Sequence, residues 1–81
     1  MRTVFEIPHS VYKITVFSWN EKYIIEIENG PFKQCFKIPL ENVNSEEKVK
    51  TILDEKFLSK LDEQFQQMHD NFRESLFRNE I

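Results

Sequence analysis

Between Val11 and Ile38 apolar and polar residues alternate in three runs, Tyr12–Trp19, Lys22–Glu28 and Phe32–Ile38. The runs are rich in Val, Ile, Phe, Tyr and Thr, and the polar pairs Asn20-Glu21 and Asn29-Gly30 separate them. A period of two, broken by turn residues, is the signature of half-buried strands joined as hairpins. Asn-Gly is the strongest short hairpin signal, because both residues accept positive φ. The pattern therefore predicts a three-stranded antiparallel meander.

The register follows from the turns. With Asn20-Glu21 at the first tip, Ile14 opposes Ile27, Val16 opposes Ile25 and Ser18 opposes Tyr23. On the reverse face Lys13 meets Glu28, Thr15 meets Glu26, Phe17 meets Ile24 and Trp19 meets Lys22. With Asn29-Gly30 at the second tip, Ile27 opposes Phe32, Ile25 opposes Gln34 and Tyr23 opposes Phe36. Glu26 then meets Lys33, and Ile24 meets Cys35. Pro31 cannot donate the hydrogen bond that closes this turn, so a four-residue loop, Glu28 to Pro31, is expected in the same register. A slip by one residue would send the apolar set to the wrong face. Both hairpins give one apolar face: Tyr12, Ile14, Val16, Tyr23, Ile25, Ile27, Phe32, Phe36 and Ile38. The opposite-charge pairs Lys13–Glu28 and Lys33–Glu26 fall on the reverse face. At about 0.2–1 kcal/mol each they serve chiefly as a check on the register.

Two segments flank the meander. Thr3 to Ile7 alternates only in part, and Pro8 stops it; it reads as a short edge strand or as an arm laid over a sheet face. Beyond Pro39, Asn44-Ser45-Glu46-Glu47 is a helix start, with Asn44 as the cap and Glu47 completing a capping box. From there to Arg78 no Gly or Pro occurs. One helix of about 33 residues would be ~50 Å long, nearly twice a strand of ~27 Å. Its apolar residues also form two sets. Val49, Ile52, Leu53 and Phe57 share one face, whereas Leu58, Leu61, Phe65, Met68, Phe72 and Leu76 share a face turned by roughly a third of a turn. Helix drift of ~20° per heptad is too small for that. A break or bend near Asp54–Ser59 is expected, or two halves facing different partners. Steps of three and four residues through Phe72 resemble a short coiled-coil seam.

The expected fold is α+β, one domain over 1–81. Residues 1–10 form an arm or edge strand, 11–38 the meander, and 45–78 a helical region packed on one sheet face. A chain of 81 residues buries only about 60% of its unfolded surface and is marginal unless it oligomerises. A single cysteine rules out an internal disulfide framework and suits a reducing compartment. No apolar run nears the ~20 residues of a membrane span, and the first residues lack the apolar core of a signal peptide. The cytoplasm is the expected location. The net charge of −3 is uneven: Met1–Leu40 holds five Lys/Arg and four Asp/Glu, Glu41–Ile81 six and ten. The acidic helical half argues against a general nucleic-acid coat or a helix lying on anionic lipid.

Chemistry is sparse. Cys35 lies between Lys33 and Lys37, which could lower a thiol pKa, but no histidine stands at a readable spacing and simple packing is the stronger reading. Three and four residues from His69 lie Phe65, Gln66, Phe72 and Arg73, which offer no ligand set. His9 is isolated in a turn region. The pairs Asp54-Glu55 and Asp62-Glu63, with Lys56 and Lys60 between them, read as a solvated helix face. No catalytic role, cofactor or metal is expected.

Surface is the informative remainder. Phe17, Trp19 and Ile24 sit together on the reverse sheet face, where a monomer rarely gathers large apolar side chains. Either the N-terminal arm or the end of the helix covers them, or a partner does. The expected function is a small non-catalytic protein-interaction module, a homo-oligomer or the binder of an unknown protein. Its candidate surface is Phe17, Trp19, Ile24, Leu61, Phe65, Met68 and Phe72. One alternative is a single-stranded nucleic-acid binder that stacks bases on Phe17 and Trp19; Glu26 and Glu28 on the same face oppose it. Another, less favoured, is a redox or enzymatic role through Cys35.

Overall fold

The computed structural model describes all residues, Met1–Ile81. Four strands come first: β1 (Arg2–Ile7), β2 (Lys13–Trp19), β3 (Lys22–Asn29) and β4 (Phe32–Pro39). Two helices follow, α1 (Glu46–Ile52) and α2 (Glu55–Arg78). The strands form one antiparallel sheet in the order β1-β2-β3-β4. The fold is the expected α+β meander, with a fourth strand at its edge.

That fourth strand is the N-terminal segment. Arg2 and Thr3 pair with Ser18 and Phe17, whereas Phe5, Glu6 and Ile7 pair with Val16, Thr15 and Ile14. Val4 is the extra residue between the two registers, a β-bulge. The bulge breaks the alternation, which is why the segment reads only partly as a strand.

The β2–β3 register is the predicted one at every position from Lys13–Glu28 to Trp19–Lys22. Asn20 and Glu21 form the turn with φ of 57° and 61°, both left-handed as a type I′ turn requires. The β3–β4 register differs by two residues. Asn29 opposes Phe32, Ile27 opposes Gln34, Ile25 opposes Phe36 and Tyr23 opposes Ile38. The tip is Gly30-Pro31, with Gly30 at φ 60°. This resolves the difficulty at Pro31: one position further on, the closing donor is Phe32, which has an N–H. Positive φ at Gly followed by the fixed negative φ of Pro fits a type II′ turn. A shift of two keeps every side chain on its face. The partners on the reverse face change: Cys35 opposes Glu26 rather than Ile24, and Lys33 opposes Glu28.

The helical region is broken, at the near edge of the expected window. Leu53 leaves helical geometry, and Asp54 caps α2 by accepting a hydrogen bond from the Phe57 N–H at 2.9 Å. Such a cap stabilises a helix by about 1 kcal/mol. Ser45, not Asn44, caps α1 by accepting from Lys48 N–H at 3.3 Å. The break lets both apolar sets reach the same sheet face. Val49 and Leu53 join Leu61 and Phe65 over Tyr12, Ile14, Val16, Ile25 and Ile27 in one core. Phe57 packs edge-on against Phe36 in the middle of β4, and Phe72 edge-on against Phe32 at its start. The Lys50 ammonium lies over the Phe5 ring at 5.0 Å, joining α1 to β1.

α2 is the longer layer. Its 24 residues span roughly 36 Å, against about 27 Å for an eight-residue strand. Phe72 meets Phe32 at the end of the sheet, and the last turns continue past it. The molecule is accordingly elongated, 47 × 26 × 19 Å.

Candidate functional site

Two apolar zones lie outside the core. The first is on the outer sheet face, opposite the helices. β1 extends the sheet instead of folding over this face, and α1 and α2 occupy the other side. By strand alternation the outer face presents Lys13, Thr15, Phe17 and Trp19 from β2. β3 adds Lys22, Ile24, Glu26 and Glu28, and β4 adds Lys33, Cys35 and Lys37. Trp19 is 54% exposed, Phe17 is half-buried, and Ile24 is buried at 4%. Ile24 sits in register between Phe17 and Lys37, whose side chains flank it. The patch is therefore one exposed tryptophan beside a half-buried phenylalanine, over an aliphatic base.

Charge on this face is partly self-neutralised. The Lys33 ammonium lies 3.3 Å from Glu26 and 3.4 Å from Glu28. These two carboxylates, Glu26 before Glu28, hold it above its ordinary 10.5. Lys13, Lys22 and Lys37 are exposed and form no ion pair. Three free lysines beside Glu26 and Glu28 make a mixed face, not the basic track that a phosphate backbone calls for.

The second zone is the free end of α2. Phe72, Phe77 and Ile81 are 54%, 84% and 87% exposed. The helix ends in an ordered cap: Glu80 N–H donates to the Phe77 carbonyl at 3.1 Å and Ile81 N–H to the Leu76 carbonyl at 3.0 Å. With Glu80 left-handed at φ 56°, this is a Schellman motif. Of the predicted seam, Leu61 and Phe65 are buried in the core and present no surface to a partner. Met68 is half-buried, its sulfur 3.6 Å from the Gln34 amide. Phe72 alone of that set is exposed. Phe77 and Ile81 escaped the sequence reading because they lie off the three-and-four stripe; an apolar residue on an otherwise polar helix face was the available signal.

Polar side chains build no reactive cluster. Cys35 is exposed on the outer face, opposite Glu26. His69 stands beside Asp70 at 3.6 Å, and its ring meets Phe32 edge-on. No three His, Cys, Asp or Glu residues gather where they could hold a metal. His9 acts within its own turn. Its Nδ1 accepts the Val11 and Tyr12 N–H groups at 3.1 and 3.2 Å, closing the path into β2. The Tyr12 ring stacks between His9 and Phe65, and its hydroxyl donates to the Asp62 carboxylate. Burial, then the Asp62 hydrogen bond and charge, push the Tyr12 phenol from 10.0 up to about 12. This part-buried bond ties the residue that leads into β2 to α2. Asp62, Phe65, Gln66 and His69 also line an open cleft against the Asn29–Phe32 turn.

No helix is long and apolar enough to cross a membrane. No protein-family model matches the chain, and no curated protein or solved structure is significantly similar to it.

Proposed function

We propose that this chain is a small non-catalytic protein-interaction module. The observation that carries the reading is where exposed apolar surface collects. Trp19 stands out on the sheet face away from the helices, and Phe72, Phe77 and Ile81 stand out on the free end of α2. Tryptophan and phenylalanine supply most of the binding energy when a partner desolvates them, and neither zone contributes to the core. A single exposed cysteine without a partner suits a reducing, cytoplasmic setting.

The test compares stability with association. Trp19→Ala and Phe72→Ala should each leave the thermal midpoint close to that of the parent, whereas Ile25→Ala should lower it steeply. Association is followed by light scattering on the purified chain and by photo-cross-linking from positions 19 and 72 in the native cell. Cross-links from either position, lost in the matching alanine variant, support the reading. If both surface variants melt as early as Ile25→Ala, or if neither position ever cross-links, the module reading is wrong.

A further inference from the structure

We infer that β4 accepts an extended peptide as a fifth strand, with an apolar side chain in the cleft between β4 and the α1–α2 corner and a carboxylate facing Lys37. This surface is separate from the two exposed zones above, and the inference stands independently of them.

β4 is an edge of the sheet, with β3 on one side and no strand on the other. Its hairpin decides which backbone groups are spare. The pair flanking a two-residue turn, here Asn29 and Phe32, exchanges both hydrogen bonds, and such pairs recur at every second residue. Phe32, Gln34, Phe36 and Ile38 therefore bond to β3. The N–H and C=O groups of Lys33, Cys35 and Lys37 point away from the sheet, and no turn, loop or side-chain hydrogen bond reaches these backbone groups.

An apolar cleft of about 280 Å³ lies beside them, between Phe36 and Ile38 on the sheet and Ile52 and Phe57 on the helices. Ile52 is 40% exposed there. Lys37 borders the cleft although its side chain belongs to the outer face, so the cleft reaches the backbone of the strand edge. Its volume falls just under the ~300–1,000 Å³ of small-molecule sites and suits one or two side chains. Spare main-chain groups beside a pocket for alternate side chains are what strand addition uses.

Charge selects the occupant. Lys33 is taken up by Glu26 and Glu28. Lys37 forms no ion pair, and neither does Lys22, which stands diagonally across from it. In an added strand the residue opposite Lys37 points to the outer face, and its neighbours, opposite Phe36 and Ile38, point to the cleft. The matching peptide therefore runs apolar, acidic, apolar. A second copy does not match. Two β4 edges would set Lys33, Cys35 and Lys37 against one another with no carboxylate among them, and like charges directly opposite are destabilising. The β1 edge of a second copy is interrupted by the bulge at Val4. The lysines that keep β4 from pairing with its own kind thus favour an acidic strand.

The probe is a fluorescent peptide of about nine residues, leucine-glutamate-leucine flanked by threonine and serine, titrated against the full chain by anisotropy. A second peptide has lysine for the glutamate, and a third has alanine for both leucines. The glutamate peptide should bind, and the other two should bind about tenfold or more weakly. In Lys37→Glu the order of the glutamate and lysine peptides should reverse. Lys13→Glu, the same charge change at the other end of the outer face, should keep it. Lys37 is exposed, and a melting curve matching the parent shows that its variant folds; if it does not fold, the three peptides and amide exchange on the parent decide the matter. Amide hydrogen exchange at Cys35 and Lys37 should slow when the glutamate peptide is bound. No binding up to about 1 mM, equal binding of the glutamate and lysine peptides, or binding that leaves both amides unprotected would each overturn the inference. None of these results bears on the cross-links from positions 19 and 72, which test the module reading separately.

Discussion

Replacing Tyr12 with Phe isolates the one polar link that passes between sheet and helix through the core boundary. The ring, stacked between His9 at 4.9 Å and Phe65 at 5.6 Å, is retained. The hydroxyl that donates to Asp62 is lost. A hydrogen bond to a charged group contributes about 1.5–3 kcal/mol, and the lower figure applies because the exposed Asp62 returns to water. At neutral pH Tyr12→Phe should therefore cost about 1.5 kcal/mol. The pH dependence is the sharper test. The folded phenol titrates near about 12, against 10.0 unperturbed. Between those values the unfolded chain releases the proton and the native chain holds it, so the native state binds more protons and stability falls as pH rises. Taken whole, a shift of about two units would be roughly 2–3 kcal/mol, but solvent at the exposed Asp62 screens it to about 1–1.5 kcal/mol, present below pH 10 and lost as pH passes about 12. Urea unfolding of parent and variant side by side cancels every other alkaline group, Lys33 included. The parent's advantage should hold to about pH 10, shrink above it, and be largely gone near pH 12. Parallel pH curves for the two proteins would refute both the burial of this phenol and its bond to Asp62.

Other perturbations test the sheet. Ile25→Ala and Ile27→Ala empty positions that are almost fully buried and should each cost about 2–5 kcal/mol, much of the stability of a domain this small; a variant melting like the parent would place that side chain outside the core. Glu21 is held left-handed at φ 61°, a conformation that costs a non-glycine residue roughly 1–2 kcal/mol. Glu21→Gly should therefore raise stability by about 1 kcal/mol after the glycine's greater unfolded-state entropy is subtracted, and a lower melting temperature would argue against the type I′ turn.

Much of the fold was legible because side-chain alternation and turn chemistry act locally. The β2–β3 register followed from Asn20-Glu21 alone, and all nine residues of the predicted apolar face lie in or against the core. The β3–β4 register was displaced by two because Asn29-Gly30 is the stronger turn pair in isolation. Pro31, which lacks an N–H, decides the matter by moving the tip to Gly30-Pro31. β1 stayed ambiguous because Val4 bulges out of the alternation. The offset between the two apolar helix sets announced a break, and Asp54 supplies it by capping α2. The surfaces were harder to read. Periodicity shows which residues share a stripe but not where the sheet beneath it ends. Leu61 and Phe65 therefore fall inside the core, Phe72 at its rim, and Phe77 and Ile81 beyond it. Nothing in the local pattern foretold that Tyr12 and Asp62, fifty residues apart, would meet.

The central claim is that α1 and α2 cover one face of the sheet and leave the other open. Trp19 is the only tryptophan in the chain and stands on the open face, so its fluorescence reports on that face alone. In the native monomer at low concentration, emission should lie close to the wavelength of the unfolded chain, and acrylamide should quench it nearly as well. A blue-shifted native emission protected from acrylamide in the monomer would mean that the chain itself covers Trp19, and the open face would not exist.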